Sequence, residues 1–223
     1  MEAEEDKKEE VTPISEEMPN GAINKGKWLL KTDREEIQFA RDILSGIGIA
    51  VLLGTILILY TGIWPPLVAV ESGSMEPNLE RGDLILIVDT EKHGYEGPEA
   101  HNGIITSKEG AELGYEEFGG EGDVIVYEQS ESGEKIIHRA EFYVEEGENW
   151  FHKADPEYVP EQNCEQMLNC PAPDDGFITK GDANPHYDQV GQAPIDGPVA
   201  EEQVVARAKY RVPYLGYIRL IFS

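Results

Sequence analysis

Apolar residues are distributed very unevenly along this chain. From Ile43 to Val70, 28 consecutive positions carry no charge, between Asp42 and Glu71. Taken as a helix from Ile43 to Ile63, the run rises about 1.5 Å per residue and reaches about 31 Å, the thickness of a bilayer's hydrocarbon core. Tyr60 and Trp64 suit the membrane interface, and Pro65-Pro66 would stop the helix. A buried core helix rarely runs so far without a polar side chain turned to water. A cleaved signal peptide would not follow 42 mostly polar residues. The pattern predicts one N-terminal transmembrane helix.

Beyond Glu71 the pattern changes to short apolar runs separated by Gly, Pro, Asp and Glu, the punctuation of strands. Leu84–Val88 reads as a strand buried on both faces. Asp123–Glu128 and Lys135–Val144 read as a hairpin joined by a polar loop, and further strands are expected at Asn149–Lys153, Gly176–Lys180 and Glu202–Arg211. Two acidic stretches without apolar periodicity, roughly residues 90–122 and 155–175, read as surface insertions. The second holds Cys164 and Cys170, which could close a small disulfide loop; two cysteines alone do not make a zinc site. The fold class is mainly β: an extracytoplasmic β domain over residues 71–223, behind an anchor and interface at 43–70 and a tail at 1–42.

Composition refines the picture. The 44 acidic residues outnumber 18 basic ones, a formal −26, so nucleic acid is not an expected partner. The lipid bilayer is. Orientation follows from cations close to the span: Lys25, Lys27, Lys31, Arg34 and Arg41 precede it, whereas Arg81 alone lies in the first twenty residues after it. The N-terminus should be cytoplasmic and the β domain outside. Residues 1–24, with eight carboxylates, read as a disordered tail, and Leu29–Arg41 as a polar extension of the membrane helix.

Three polar clusters occupy positions that packing alone would not choose. The first is Glu71-Ser-Gly-Ser-Met-Glu-Pro77, where Ser72 and Ser74 flank a glycine just past the apolar run. The second is Ile136-Ile-His-Arg139. Strict alternation puts His138 on one face with Ile136, Ala140, Phe142 and Val144, an ionisable group among apolar ones, and puts Lys135 on the other. The third, Phe177 to Asp188, runs a short strand into a turn that presents Asp182 and Asp188. Each cluster taken singly is an ordinary loop, core histidine or turn. Together they supply a nucleophile, a general base and a carboxylate to orient it.

At SGSMEP (Ser72–Pro77), RGDLI (Arg81–Ile85), GDVIVY (Gly122–Tyr127), IIHR (Ile136–Arg139) and FITKGDAN (Phe177–Asn184) the chain resembles the type I signal peptidases, in family order and directly after a membrane anchor. It is similar to their archaeal and endoplasmic-reticulum branch, because histidine stands where the bacterial branch has lysine. The resemblance implies a membrane-bound serine endopeptidase that cuts signal peptides from exported preproteins after small residues. Ser74 would be the nucleophile and His138 the base, with Asp188 ranked ahead of Asp182 for orienting His138. The Ser74 amide and the Ser72 hydroxyl would form the oxyanion hole. The box departs from the family at Ala183, where asparagine is usual, and this bears most on Asp188. Lys135 and Lys180 would compete for a Ser–Lys dyad.

The ten residues from Trp64 to Ser74 span at most about 35 Å, which keeps the nucleophile near the outer membrane surface. Leu67–Val70 could dip back into the interface. Leu84–Val88 is the expected wall of the substrate pockets, and Val212–Ser223 a closing strand, an interfacial foot or the approach to a second membrane helix. Preproteins and the secretion translocon are the expected partners, and no metal or other cofactor is expected. Competing readings are a self-cleaving repressor-type or maturation peptidase, and a silent membrane-anchored domain that binds peptides or assists an active partner. Residues 71–223 hold 32 acids against 11 bases, net −21, a surface suited to concentrated salt, in which repulsion between carboxylates is screened within about 3 Å at 1 M.

Overall fold

The computed structural model describes residues 18–31, 35–129, 133–190 and 197–221. The expected disordered tail falls largely on residues 1–17, outside this range. Its last part is ordered differently from expectation: after Gly21, at φ +91°, a helix runs over Ala22–Lys31. The apolar run forms a helix at Glu35–Thr61, 27 residues, the one helix among those described that is long and apolar enough to cross a membrane. It ends four residues before the prolines because Gly62 adopts φ +78°, the left-handed conformation that glycine tolerates at a helix end. The chain divides into two units, residues 1–55 and 56–223.

In the second unit eight strands form: β1 (Leu67–Ala69), β2 (Leu84–Val88), β3 (Glu116–Glu117), β4 (Gly120–Glu121), β5 (Val124–Glu128), β6 (Lys135–Val144), β7 (Gly176–Lys180) and β8 (Val204–Val212). Six make one antiparallel sheet in the order β1-β2-β8-β5-β6-β7. The fold is mainly β, preceded in sequence by the apolar helix. Leu67–Ala69 is a strand paired to β2 and not a segment free to dip away. The run at Leu84–Val88 is buried because β1 and β8 flank it, which leaves it no free edge.

Three apolar clusters support this sheet. Val70, Met75, Leu79, Ile85, Val124 and Val126 pack on one side, and Ile104, Ile125, Tyr127, Ala140 and Phe177 on another. A satellite core of Phe142, Trp150, Met167, Ile178 and Tyr187 belongs to the second acidic insertion. There Asn149–Lys153, expected as a strand, is a 3-10 turn at Trp150–His152. The Trp150 indole is fully buried and donates to the Asn169 carbonyl at 2.6 Å, which curls the chain inward. The same insertion carries the Cys164–Cys170 disulfide.

The first insertion is also more structured than its acidity suggested. Ile104 and Ile105 are fully buried, and a helix at Ser107–Leu113 starts with a capping box between Thr106 and Glu109. Strict alternation along β6 fails at Glu141, where the register to β7 shifts between Ala140 and Phe142. A bulge turns the strand over. Ala140 therefore packs with Ile125 and Phe177, whereas Phe142 and Val144 join the satellite core on the other side.

Candidate active site

The three clusters from separate parts of the chain converge. Ser74 sits in the turn after β1, partly exposed, with its neighbour Met75 sunk into the core as an anchor. The Ser74 hydroxyl lies 3.0 Å from Nε2 of His138, and Nδ1 of His138 lies 2.6 Å from Oδ2 of Asp188. A carboxylate can only accept, so Nδ1 carries the proton of the neutral ring and Nε2 offers its lone pair to the serine. His138 is 8% exposed. That arrangement can remove a hydroxyl proton and hold the resulting imidazolium against a negative charge.

Asp188 is itself fixed by groups that the sequence reading missed. Its Oδ2 also accepts from the Thr179 hydroxyl at 2.7 Å and from the Tyr127 phenol at 3.1 Å, and its backbone N–H donates to the Thr179 carbonyl at 2.8 Å. Gln189 completes the clamp: its Nε2 donates to the Thr179 hydroxyl at 3.3 Å, and its Oε1 accepts from the Thr179 N–H at 3.0 Å. With the threonine oxygen so engaged, its proton points at Asp188. Burial first, then the Asp188 charge, pushes the Tyr127 phenol up from its usual range, so it remains a donor. Tyr127 and Thr179 lie in the boxes GDVIVY and FITKGDAN, but nothing in the boxes marks them as partners of Asp188. Only the pairing of β5 with β6, which sets Tyr127 opposite Ile136, brings the phenol under the histidine.

Asp182 stands elsewhere. Its carboxylate accepts from Nε and an Nη of Arg139 at 2.9 and 2.8 Å and from Asn78 at 2.8 Å. It belongs to the far side of β6, bound to the residue after the histidine. Its turn nevertheless touches the site. Ala183 donates its backbone N–H to the Ser74 carbonyl at 2.8 Å, a contact that any residue except proline could make. That accounts for alanine where the family has asparagine. Gly181 allows the approach: a Cβ there would fall 2.6 Å from the Ser74 carbonyl and 2.9 Å from Nε2 of His138.

The remaining candidates separate. Ser72 Oγ lies 3.1 Å from Ser74 Oγ at the mouth of the site. Lys180 is buried with its ammonium on the Gly181 carbonyl at 3.1 Å and 4.3 Å from the Tyr158 ring centre. Lys135 lines the groove that leads to Ser74. His101 stacks on Tyr143, and His93 meets the Tyr60 carbonyl.

The groove itself is about 470 Å³, bounded by Val68 and Ala69 of β1, Val70 just after it, and Lys135–His138 of β6. The β2 strand does not line it, because β1 covers that edge. Along Lys135–His138 the strand pairs with β5 alone, since β7 begins its pairing at Arg139. The groove therefore faces backbone that β7 does not cover.

No family model matches the chain. Over 192 residues, 85% of this chain and 79% of the relative, it is 28% identical to the signal peptidase complex catalytic subunit SEC11 of Schizophyllum commune. The chain thus resembles the Sec11-like branch of the type I signal peptidases. That likeness supports signal-peptidase activity in general, and with the apolar helix it supports association with a membrane.

Proposed function

We propose that this protein is a membrane-bound serine endopeptidase that removes signal peptides from exported preproteins, and the observation carrying this reading is the continuous Ser74–His138–Asp188 relay. His138 takes the hydroxyl proton as Ser74 attacks the scissile carbonyl, and returns it to the leaving amine. Asp188 orients the ring and stabilises its cationic form. The Ser74 amide and the Ser72 hydroxyl receive the developing oxyanion, a contribution of about 3–4 kcal/mol for such donors. Asp182 acts at one remove, holding the turn that holds Ser74.

An extended substrate segment would lie between β1 and β6 and pair with uncovered backbone. The walls, Val68, Val70, Val126 and Ile137, favour small apolar side chains before the cut. Orientation with the N-terminus in the cytoplasm and residues 71–223 outside follows from the cations before the span, and the disulfide agrees with an oxidising exterior. A preprotein so delivered shares the bilayer with the enzyme, which raises its effective concentration. The net −21 of the exterior domain supports work in concentrated salt.

Incubation of the detergent-purified protein with a preprotein tests the reading. Cleavage at one site by the parent and none by Ser74→Ala is expected; equal cleavage by both would overturn it.

A further inference from the structure

Asp188 lies outside the strands, in the stretch Tyr187–Val190 that follows β7 and its turn. Apart from Tyr127 and His138 at the carboxylate, the sheet holds this stretch through one residue: the Asp188 N–H, the Asp188 carboxylate and the Gln189 amide all meet Thr179. A segment held at one point can pivot about it. The relay needs a fixed angle, because the contact from Nδ1 of His138 to Asp188 is 2.6 Å and a displacement of about 1 Å would take it beyond hydrogen-bonding range.

The second acidic insertion supplies the other support. Tyr187 donates its N–H to the Tyr158 carbonyl at 3.3 Å, its hydroxyl accepts from the Asp155 N–H at 3.0 Å, and Tyr187 and Val190 are buried in the satellite core. Asn169 closes the arrangement. Its Nδ2 donates to the Gln189 carbonyl at 3.0 Å, while its own carbonyl accepts the Trp150 indole N–H at 2.6 Å, so it ties the buried indole to the residue beside Asp188. Asn169 has φ +60°, a left-handed conformation that asparagine tolerates better than most residues. It precedes Cys170, which is bonded to Cys164, and both Cys164 and Met167 are buried in the insertion. One end of this small ring is thus sunk in the protein, and the disulfide holds the other end, next to Asn169, against it.

We propose that Asn169 is a positioning residue for the relay: it fixes the Gln189 carbonyl, and through it the angle at which Asp188 meets His138, and the Cys164–Cys170 bond keeps it in place. The proposal rests on the reading of Ser74, His138 and Asp188 as a proton relay. It makes the relay depend on oxidation of the insertion. Reduction adds two electrons and two protons to the paired sulfurs and gives two thiols; a dithiol such as dithiothreitol supplies them and is itself oxidised to its cyclic disulfide. Cys170 is partly exposed, which gives the reductant access. The chain has two cysteines, so no other bond in it responds.

The test uses the full chain in detergent and a preprotein without cysteine. Asn169→Gly keeps the left-handed backbone and removes the amide, and Asn169→Asp keeps the shape but sets an acceptor where the donor was. Both should lower kcat about tenfold with KM unchanged. Reduction by dithiothreitol should lower kcat several-fold, and reoxidation should restore it. Asn163→Ala removes a different hydrogen bond of the same loop, from the Gln166 N–H at 3.1 Å, and should leave kcat unchanged. A far-downfield proton resonance from Nδ1–H of His138 reads the contact with Asp188 directly; recorded in a Ser74→Ala background, it is independent of cleavage. It should weaken or move upfield in Asn169→Gly and persist in Asn163→Ala. An unchanged resonance in Asn169→Gly, or equal losses in Asn163→Ala, would overturn the positioning role. A kcat indifferent to reduction, with both thiols titrated as free, would overturn its dependence on the disulfide. A parent that cleaves no preprotein, yet shows the resonance and loses it in Asn169→Gly, would refute the peptidase reading and uphold the positioning.

Discussion

His138 and Arg139 are neighbours on β6 and face opposite ways, and the two sides of the strand have different chemistry. On the histidine side a polar chain runs from the partly exposed Ser74 hydroxyl through His138 to Asp188, and on to the buried Tyr127, Thr179 and Gln189. On the arginine side Asp182, Asn78 and the carbonyls of Glu117, Glu121 and Gly122 close around a buried guanidinium. One side holds its charges where a reacting group can reach them. The other uses similar residue types to bind the turn of Ser74 to the strand. Residue type alone therefore does not distinguish reactive from supporting carboxylates; the partner does.

The largest effects should fall on the histidine side. Ser74→Ala should lower preprotein cleavage about a thousandfold or more with an unchanged melting temperature. Asp188→Asn should cost about 10²–10⁴ in kcat, again with little loss of stability, because the ring loses its orienting charge. Asp182→Asn should do the reverse. It leaves a buried guanidinium without its charge partner, at about 3–5 kcal/mol in stability, while the folded fraction keeps most of its kcat. If denaturant titration and kinetics showed the two aspartates exchanging these phenotypes, the division of β6 into two sides would fail.

Smaller effects sharpen the boundary. Tyr127→Phe and Thr179→Val should each reduce kcat by about tenfold with KM unchanged, and Thr179→Ser should restore most of it, since only the hydroxyl matters. A matching fall in stability with no kinetic change would make them core residues and nothing more. On the other side, burial pushes Glu141 up to about 7, against the pull of Lys180 and then Arg139. A carboxyl raised in the folded state costs nothing below its usual pKa of 4.5 and most above 7. Glu141→Gln should therefore leave stability unchanged near pH 4 and increase it at pH 8, by about 3 kcal/mol at most. A gain that stayed flat with pH would show that Glu141 is not buried in its charged form.

Much of this was legible in the residues. The uncharged run announced the helix, the alternation and its punctuation announced β5, β6, β7 and β8, and Ser74 and His138 stood out because polar groups occupied positions suited to apolar or small ones. What stayed hidden has physical causes. A bulge at Glu141 adds one residue without altering the apolar count, so Phe142 was assigned to the wrong face. Five apolar residues in a row fit an edge or a central strand equally well, which is why β2 was mistaken for a pocket wall. Two aspartates six residues apart cannot be ranked by spacing, because the choice depends on a turn folded over Gly181 and on a phenol contributed 61 residues earlier. Trp150 looked like a strand residue because large aromatics favour both strands and buried turns.

The position of β8 bears on when the Ser74–His138–Asp188 relay can assemble. The strands that lead to Ser74, β1 and β2, and those that carry His138 and approach Asp188, β5, β6 and β7, do not pair with one another. Among the described strands β8, the last in sequence, lies between them and pairs with both. A nascent chain therefore holds Ser74 and His138 in two separate half-sheets until residues 204–212 have arrived. On the proposed reading, the order of synthesis delays assembly of the Ser74–His138–Asp188 relay until β8 is in place.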